Sequence, residues 1–271
     1  MPVKETQWKV NSQNDVTFVW EYEDGNNDLL KLYDKGKQQQ WDAKDRIDWS
    51  LDLDPENPME MPDQMIRIYG SPIWDKMTKK ERANLRLHGQ AWRISQFLHG
   101  EQGALMVAAH IVETLPDINA KFYTATQVMD EARHVEAYSS LLHDKFEIAY
   151  PVTPPLASLL ENVPNDKRWD FNYLGMQVLF EGLALAAFHG LRDISKNPLT
   201  ASVNAYVRQD EARHVAFGRL ALRDYYPNLS TSEMAEREEF LIESCWHMRD
   251  RFTSDEMWKA VGLPVKECMA W

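Results

Sequence analysis

An all-α bundle of four long helices, paired into two hairpins with a crossover between the pairs and further helices at the flanks, is the fold class this sequence predicts. Three observations carry it. No segment alternates apolar and polar residues with period two for long enough to make a strand. Four long stretches hold apolar residues at three- and four-residue steps, with prolines falling between them. The second pair of stretches also repeats the first: Asp-Glu-Ala-Arg-His-Val occurs at residues 130–135 and again at 210–215.

The elements follow in order. Residues 1–26 are polar and aromatic without a helical period and read as an arm or loop. Residues 27–47 place Leu29, Leu30, Tyr33, Lys37 and Trp41 at helical steps, with Asn26 or Asn27 as a cap. Residues 51–63 hold three prolines among acids and read as a connector. A long helix is predicted from Thr78 to Leu115, opened by the capping-box pair Thr78 and Glu81 and ended by Pro116. The next runs from Asp117 to Phe146. The proline-rich stretch 151–165 is the crossover. The third long helix spans Asp166–Ile194, with Pro198 in the turn after it, and the fourth spans Leu199–Tyr226. A fifth helix begins at Ser230, where Ser230 and Glu233 form another capping box, and reaches about Phe252. All 271 residues read as one domain: an arm and helix over 1–77, a bundle over 78–226 and C-terminal helices over 230–271. The second hairpin has no partner for its apolar face if detached.

Charge and cysteine usage narrow the partners. The net charge is −12, which argues against nucleic acid, because phosphate binding needs a basic surface. No stretch approaches the roughly 20 consecutive apolar residues of a membrane span, and the N-terminus has no apolar signal core. Cys245 and Cys268 lack framework spacing and fit free thiols in a reducing compartment. A soluble, cytoplasmic protein is the expectation.

The repeat is larger than six residues. Thirty positions before Glu131 stands Glu101, and thirty before Glu211 stands Glu181. Both lie mid-helix among small and apolar residues, where a carboxylate is costly unless something pairs with it. Each hairpin therefore offers one isolated Glu and then Glu-x-x-His, whose two side chains share a helix face. Glu101, Glu131, His134, Glu181, Glu211 and His214 make four carboxylates and two imidazoles. Such a set of hard oxygens with two nitrogens suits iron or manganese and can hold two divalent ions. Asp130 and Asp210 are expected to accept from the ligand imidazoles, each reaching across to the opposite hairpin, with Arg133 and Arg213 keeping them ionised. The alternative for these four is surface ion pairing. His110 and His189 lie nine and eight residues beyond Glu101 and Glu181, too far along the axis to be ligands. They read as structural or pocket residues. A substrate pocket is expected between helices near Ala104, Leu105, Ala108, Leu185, Ala186 and Phe188; small residues there serve equally for close helix packing. The tryptophans at 8, 20, 41, 49 and 74 read as core or lid packing.

On these motifs, residues 78–226 resemble the ferritin-like di-iron carboxylate superfamily. The doubled Asp-Glu-x-Arg-His is most similar to its oxygen-activating branch: bacterial multicomponent monooxygenase hydroxylases, the ribonucleotide reductase small subunit, and arylamine N-oxygenases. The resemblance implies two iron ions, or an Mn/Fe pair, with O2 as co-substrate, in an oxidase or oxygenase that hydroxylates, N-oxygenates or desaturates a small organic molecule. Arylamine N-oxygenases carry a further His four residues before the second Glu-x-x-His, and here Val207 stands in its place. Tyr138, four residues after His134, has the offset of the reductase subunit's radical tyrosine; packing or hydrogen bonding is the alternative. An iron-oxidising store and a radical-generating subunit are the competing functions. No Gly-rich dinucleotide fingerprint or cluster-binding cysteine set is present in the sequence, which implies an external reductase or ferredoxin. A homodimer is expected.

Overall fold

The computed structural model describes residues 16–19, 27–162, 168–250 and 254–271. Among these residues the chain is helical, with no strand. In chain order the helices are α1 (Asn27–Gln38), α2 (Ala43–Arg46), α3 (Pro72–Lys76), α4 (Lys79–Thr114), α5 (Ile118–Ser140), α6 (Pro154–Asn162), α7 (Trp169–Tyr173), α8 (Glu181–Ile194), α9 (Pro198–Arg223), α10 (Thr231–Asp250), α11 (Asp255–Ala260) and α12 (Val265–Ala270). Helices α4 and α5 form one hairpin, and α7–α8 with α9 form the other. Helix α1 lies against α5 and α9.

Local chemistry explains where the long helices begin. Thr78 Oγ1 accepts from the Glu81 N–H, and the Glu81 carboxylate accepts from the Thr78 N–H at 2.7 Å. Ser230 and Glu233 repeat this arrangement before α10. The Asp117 carboxylate caps α5, and the Asn197 side chain caps α9 through the Leu199 and Thr200 N–H groups. Pro198 is the first residue of α9 rather than part of the preceding turn, because a proline lacks an N–H where the helix needs none.

Three departures from the sequence reading matter for the site. The helix expected over 27–47 stops at Gln38 and resumes as α2 with Asp42 as its cap. The break turns Gln40 and Trp41 toward buried acids on α5 and α9, and Gln39 toward Arg213 of α9. The crossover is not irregular throughout, since Pro154 and Pro155 open α6. The third long helix is not uniform either. Its middle, Leu174–Phe180, winds as a π-helix and returns to α-geometry at Glu181, a distortion frequent at functional sites. Gly218 of α9 accommodates the widened turn. A Cβ there would lie 2.5 Å from the Gln177 Cβ and 3.2 Å from its backbone carbonyl. A second π turn, Leu141–Phe146, continues α5 until Glu147 at φ 56° ends it. The cap suggested at Asn26, residues 166–167, Phe252, Trp8 and Trp20 lie outside the described residues.

Two apolar cores flank a polar belt. One gathers Leu85, Ile94 and Phe97 of α4, Tyr138 of α5, Phe188 of α8 and Val203 and Val207 of α9. The other gathers Val107 and Ile111 of α4, Tyr123 of α5, Tyr173 and Phe180 before α8, and Phe217 of α9. Each of the four long elements runs from one core to the other. Glu101, Glu131, His134, Glu181, Glu211 and His214 occupy the crossings between them. The expectation that no stretch is apolar enough to span a membrane is corrected: by length and composition Trp169–Ile194 passes that test. That stretch is the α7–α8 element, packed against α9 and carrying Glu181.

Candidate metal centre

All six residues of the doubled motif are buried, with side chains at most 6% exposed. They converge into two overlapping groups. One comprises Glu101, Glu131, His134 and Glu211, and the other Glu131, Glu181, Glu211 and His214. Glu131 and Glu211 belong to both.

The ring nitrogens divide their tasks. Nε2 of His134 faces Asp210 Oδ2 at 3.2 Å, and Nε2 of His214 faces Asp130 Oδ2 at 3.3 Å, so each imidazole is held by the aspartate of the opposite hairpin. The two Nδ1 atoms point into the centre. His134 Nδ1 lies 3.0 Å from Glu101 Oε2, 3.3 Å from Glu131 Oε2 and 3.2 Å from Glu211 Oε1. His214 Nδ1 lies 3.2, 3.3 and 3.7 Å from oxygens of Glu131, Glu211 and Glu181. One N–H cannot serve three carboxylates. Glu131 Oε2 and Glu211 Oε1 are accordingly buried without a hydrogen bond. Ligand atoms around a cation with bonds of about 2.1 Å stand about 3 Å apart. The donor set therefore fits two divalent ions, and the crowding of lone pairs is what such ions relieve.

Electrostatics of the protein alone agree. Burial and then the Glu211 carboxylate push Glu101 well above the usual carboxylate range, and burial with Glu211 and Glu131 does the same to Glu181. Burial also opposes charge on the imidazoles, but the carboxylates outweigh it. Asp210, Glu101, Glu131 and Glu211 raise His134, and Glu131 and Glu211 raise His214, both well above the ordinary value. In the metal-free protein, protons thus supply the positive charge that the carboxylates demand. Metal binding must displace them. Fe(II) or Mn(II) uptake at pH 7 is expected to release protons, and affinity is expected to rise with pH through neutrality, since the raised histidines still hold protons there. Calorimetry in buffers of different ionisation enthalpy measures the release; pH-independent affinity with no protons released overturns the expectation.

Around the centre, Arg133 Nη2 donates to Asp130 and, at 3.0 Å, to Asp210, and Arg213 Nη2 donates to Asp210 and, at 3.2 Å, to Asp130. The two arginines and two aspartates form a buried ring of neutral net charge that ties the hairpins together. Sequence reasoning missed the residues completing it. Trp41 Nε1 donates to Asp210 Oδ2 at 2.7 Å. Gln40 donates to Asp130 at 2.9 Å and accepts from Arg133 at 2.6 Å, while Gln39 accepts from Arg213 at 3.0 Å. It also missed Gln127, whose Nε2 lies 3.1 Å from both Glu131 and Glu181. Gln127 was findable, because it stands four residues before Glu131 on the same helix face.

Tyr138 is fully buried, packs against Phe97 and Phe188, and donates to Asn204 Oδ1 at 3.1 Å. Of the residues expected at a pocket, Ala104 and Phe188 line a small cavity of about 30 Å3 that touches Glu101 and Glu181. Ala186 lines a larger one of about 430 Å3, and Gln96 and Phe97 line both. Ala108 is instead packed in the core, and Leu105 and Leu185 line neither. His110 and His189 line neither cavity; His189 pairs with Asp193 at 3.3 Å.

Fold and centre together define an oxidoreductase of the ferritin-like di-iron class, one that uses O2 on a small substrate. Residues 23–270 match the family described as P-aminobenzoate N-oxygenase AurF, and the chain belongs to that family. Val207 does not remove it from the family. Among solved structures, a point mutant of an R2-like ligand-binding oxidase with anaerobically reconstituted Mn/Fe cofactor aligns with TM-score 0.59 at 18% identity, covering 90% of this chain and 86% of that one. The R2-like ligand-binding oxidase with aerobically reconstituted Mn/Fe cofactor aligns with TM-score 0.55 at 18% identity, covering 92% and 90%. At that identity the likeness speaks for the fold. No curated protein matches the chain.

Proposed function

We propose that the protein is a di-metal oxygenase in which Glu101, Glu131, His134, Glu181, Glu211 and His214 hold two iron ions or an Mn/Fe pair, and that it oxidises a small organic molecule that enters from the larger cavity, past Gln96 and Phe97, to reach the small cavity beside Glu101 and Glu181. The carrying observation is the convergence of both Glu-x-x-His pairs and both isolated glutamates on one buried point next to that cavity. Bound there, the ions supply electrons and open positions for O2. The chain's own residues do the rest. Asp130 and Asp210 keep the proton on each Nε2, so that each Nδ1 presents a lone pair inward. Gln127 steadies Glu131 and Glu181. Phe97 and Phe188 give the cavity an apolar wall.

The activity for which the family is named makes N-oxygenation of an amine the first reaction to test, with hydroxylation and desaturation beside it. Inserting one oxygen atom reduces the other to water and consumes two electrons. A separate reductase or ferredoxin is the proposed donor, since the sequence shows no dinucleotide fingerprint and Cys245 and Cys268 are free thiols. Those thiols support a reducing, cytoplasmic setting. A homodimer and a single domain over residues 1–271 complete the reading.

The test loads purified protein anaerobically with Fe(II), with and without Mn(II), then admits O2 with p-aminobenzoate and a chemical reductant. Metal content is expected to stop at about two ions per chain, with O2 consumed and an oxygenated product detected by mass. Accumulation of many ferric ions per chain in a large assembly supports iron storage and sinks the proposal.

A further inference from the structure

The two hairpins share a second repeat that metal binding does not explain. Tyr123, Gln127 and Glu131 follow one another at four-residue steps on α5. Tyr173, Gln177 and Glu181 do the same from α7 through the π segment to the start of α8. Each ladder reads Tyr, Gln and then a Glu of the metal centre. At the same offset before Glu101 and Glu211 stand Phe97 and Val207. The polar side chains therefore mark one side of the centre alone.

The ladders meet across α9. The rings of Tyr123 and Tyr173 flank Phe217, with centroids 4.4 and 5.1 Å from it, and the neighbouring Gly218 packs against Gln177. All four polar side chains are fully buried. Yet the Tyr123 and Tyr173 hydroxyls, both amide atoms of Gln177 and the Gln127 Oε1 find no hydrogen-bond partner among the described residues. The Thr124 hydroxyl, a polar neighbour of Tyr173, gives its hydrogen to the Ala120 carbonyl at 2.8 Å. Buried polar groups are ordinarily paired, by ordered water where the protein supplies no partner. Donors and acceptors gathered in one apolar core are the lining that buried water needs.

This lining has an inner and an outer end. At the inner end Gln127 Nε2 lies 3.1 Å from both Glu131 and Glu181. At the outer end Tyr173 feels the carboxylate of Asp117, the half-buried cap of α5. Tyr123 feels His214 and Glu181. Burial keeps both tyrosines protonated, and a neutral hydroxyl accepts one hydrogen bond while donating another. The small cavity differs: Ala104, Met176, Phe180 and Phe188 in its wall offer a proton no partner. Resting on the oxygenase reading above, we propose that Tyr173, Tyr123, Gln177 and Gln127 hold a file of buried water that brings protons from solvent beside Asp117 to the metal centre. Each oxygen atom inserted takes up two protons with the two electrons from the donor, since the second oxygen leaves as water. Substrate arrives past Phe97 and protons past the tyrosines, so the two do not compete for one opening.

Two measurements on full-length protein test this without turnover. Crystals of the zinc-loaded form are expected to show ordered water on at least two of the orphaned atoms. With isotopically labelled glutamine, the buried Gln127 side-chain amide is expected to exchange its protons with D2O, and Tyr123→Phe and Gln177→Leu to slow that exchange at least tenfold. A third measurement uses iron-loaded protein with a chemical reductant and p-aminobenzoate. There the same variants are expected to keep the metal content and melting midpoint, to consume O2 about tenfold more slowly, and to show a larger D2O isotope effect than wild type. A merely structural role leaves that isotope effect unchanged. A dry cluster overturns the proposal, and so do exchange or isotope effects at wild-type values in both variants. Protein that shows the water and the exchange but consumes no O2 counts against the oxygenase reading alone.

Discussion

Replacing His134 by alanine is expected to cut bound metal from about two ions per chain to one or fewer and to reduce O2-dependent product formation to background. His134 is the only nitrogen donor among Glu101, Glu131, His134 and Glu211, so its loss leaves carboxylates alone to hold that ion. The fold is expected to survive. Asp210, the residue on which His134 leans, still receives hydrogen bonds from Trp41, Arg133 and Arg213. His214→Ala is the mirror experiment for the second group. Metal analysis after anaerobic loading and gel filtration reads the stoichiometry, and unchanged melting separates ligand loss from unfolding. Two variants that both retain the wild-type metal content would remove these residues from the centre.

Asp210→Ala is expected to destabilise the protein by about 3–5 kcal/mol, the penalty for removing one partner from a buried charge pair. The change strands several donors at once: the Trp41 indole N–H, both arginines and His134 Nε2. At about 2–4 °C per kcal/mol for a chain of this size, the melting midpoint drops by roughly 10 °C. Metal affinity falls about 10–100-fold, because the imidazole loses the acceptor that orients it. Asp210→Asn keeps the shape and one acceptor oxygen and is expected to cost less than half as much. A midpoint within about 2 °C of wild type in Asp210→Ala would show that the ring contributes little.

The part of the centre legible in the sequence is the part written locally. Glu131 with His134, and Glu211 with His214, share helix faces by spacing alone, and the two isolated glutamates stand out because charge is expensive in an apolar run. The helix starts at Thr78 and Ser230 were equally legible, since a capping box is completed within four residues. What escaped was settled at a distance. Lys37 and Trp41 fit a helical period, yet the chain leaves the helix after Gln38; beyond it Gln40 and Trp41 donate to buried acids 90 and 169 residues away in sequence, and Gln39 accepts from Arg213. Leu105, Ala108 and Leu185 were assigned to the pocket from their nearness to Glu101 and Glu181 in sequence. Each stands one turn beyond a residue that does line the small cavity, and how far a void extends along a helix depends on the neighbours packed against it, which residue order does not record.

The same division holds for the whole molecule. Helical period, proline placement and a doubled motif determined an all-α bundle of two like hairpins and named six residues able to hold two metal ions, because each of these depends on contacts within a few turns of one helix. Tertiary structure decided the crossed pairing of each histidine with the other hairpin's aspartate, the π turn leading into Glu181, and the large cavity lined by Arg67, Arg86 and Arg93. Those features arise only when two hairpins meet, since desolvation and hydrogen bonding there are shared between chain segments whose separation in sequence exceeds the reach of any local pattern.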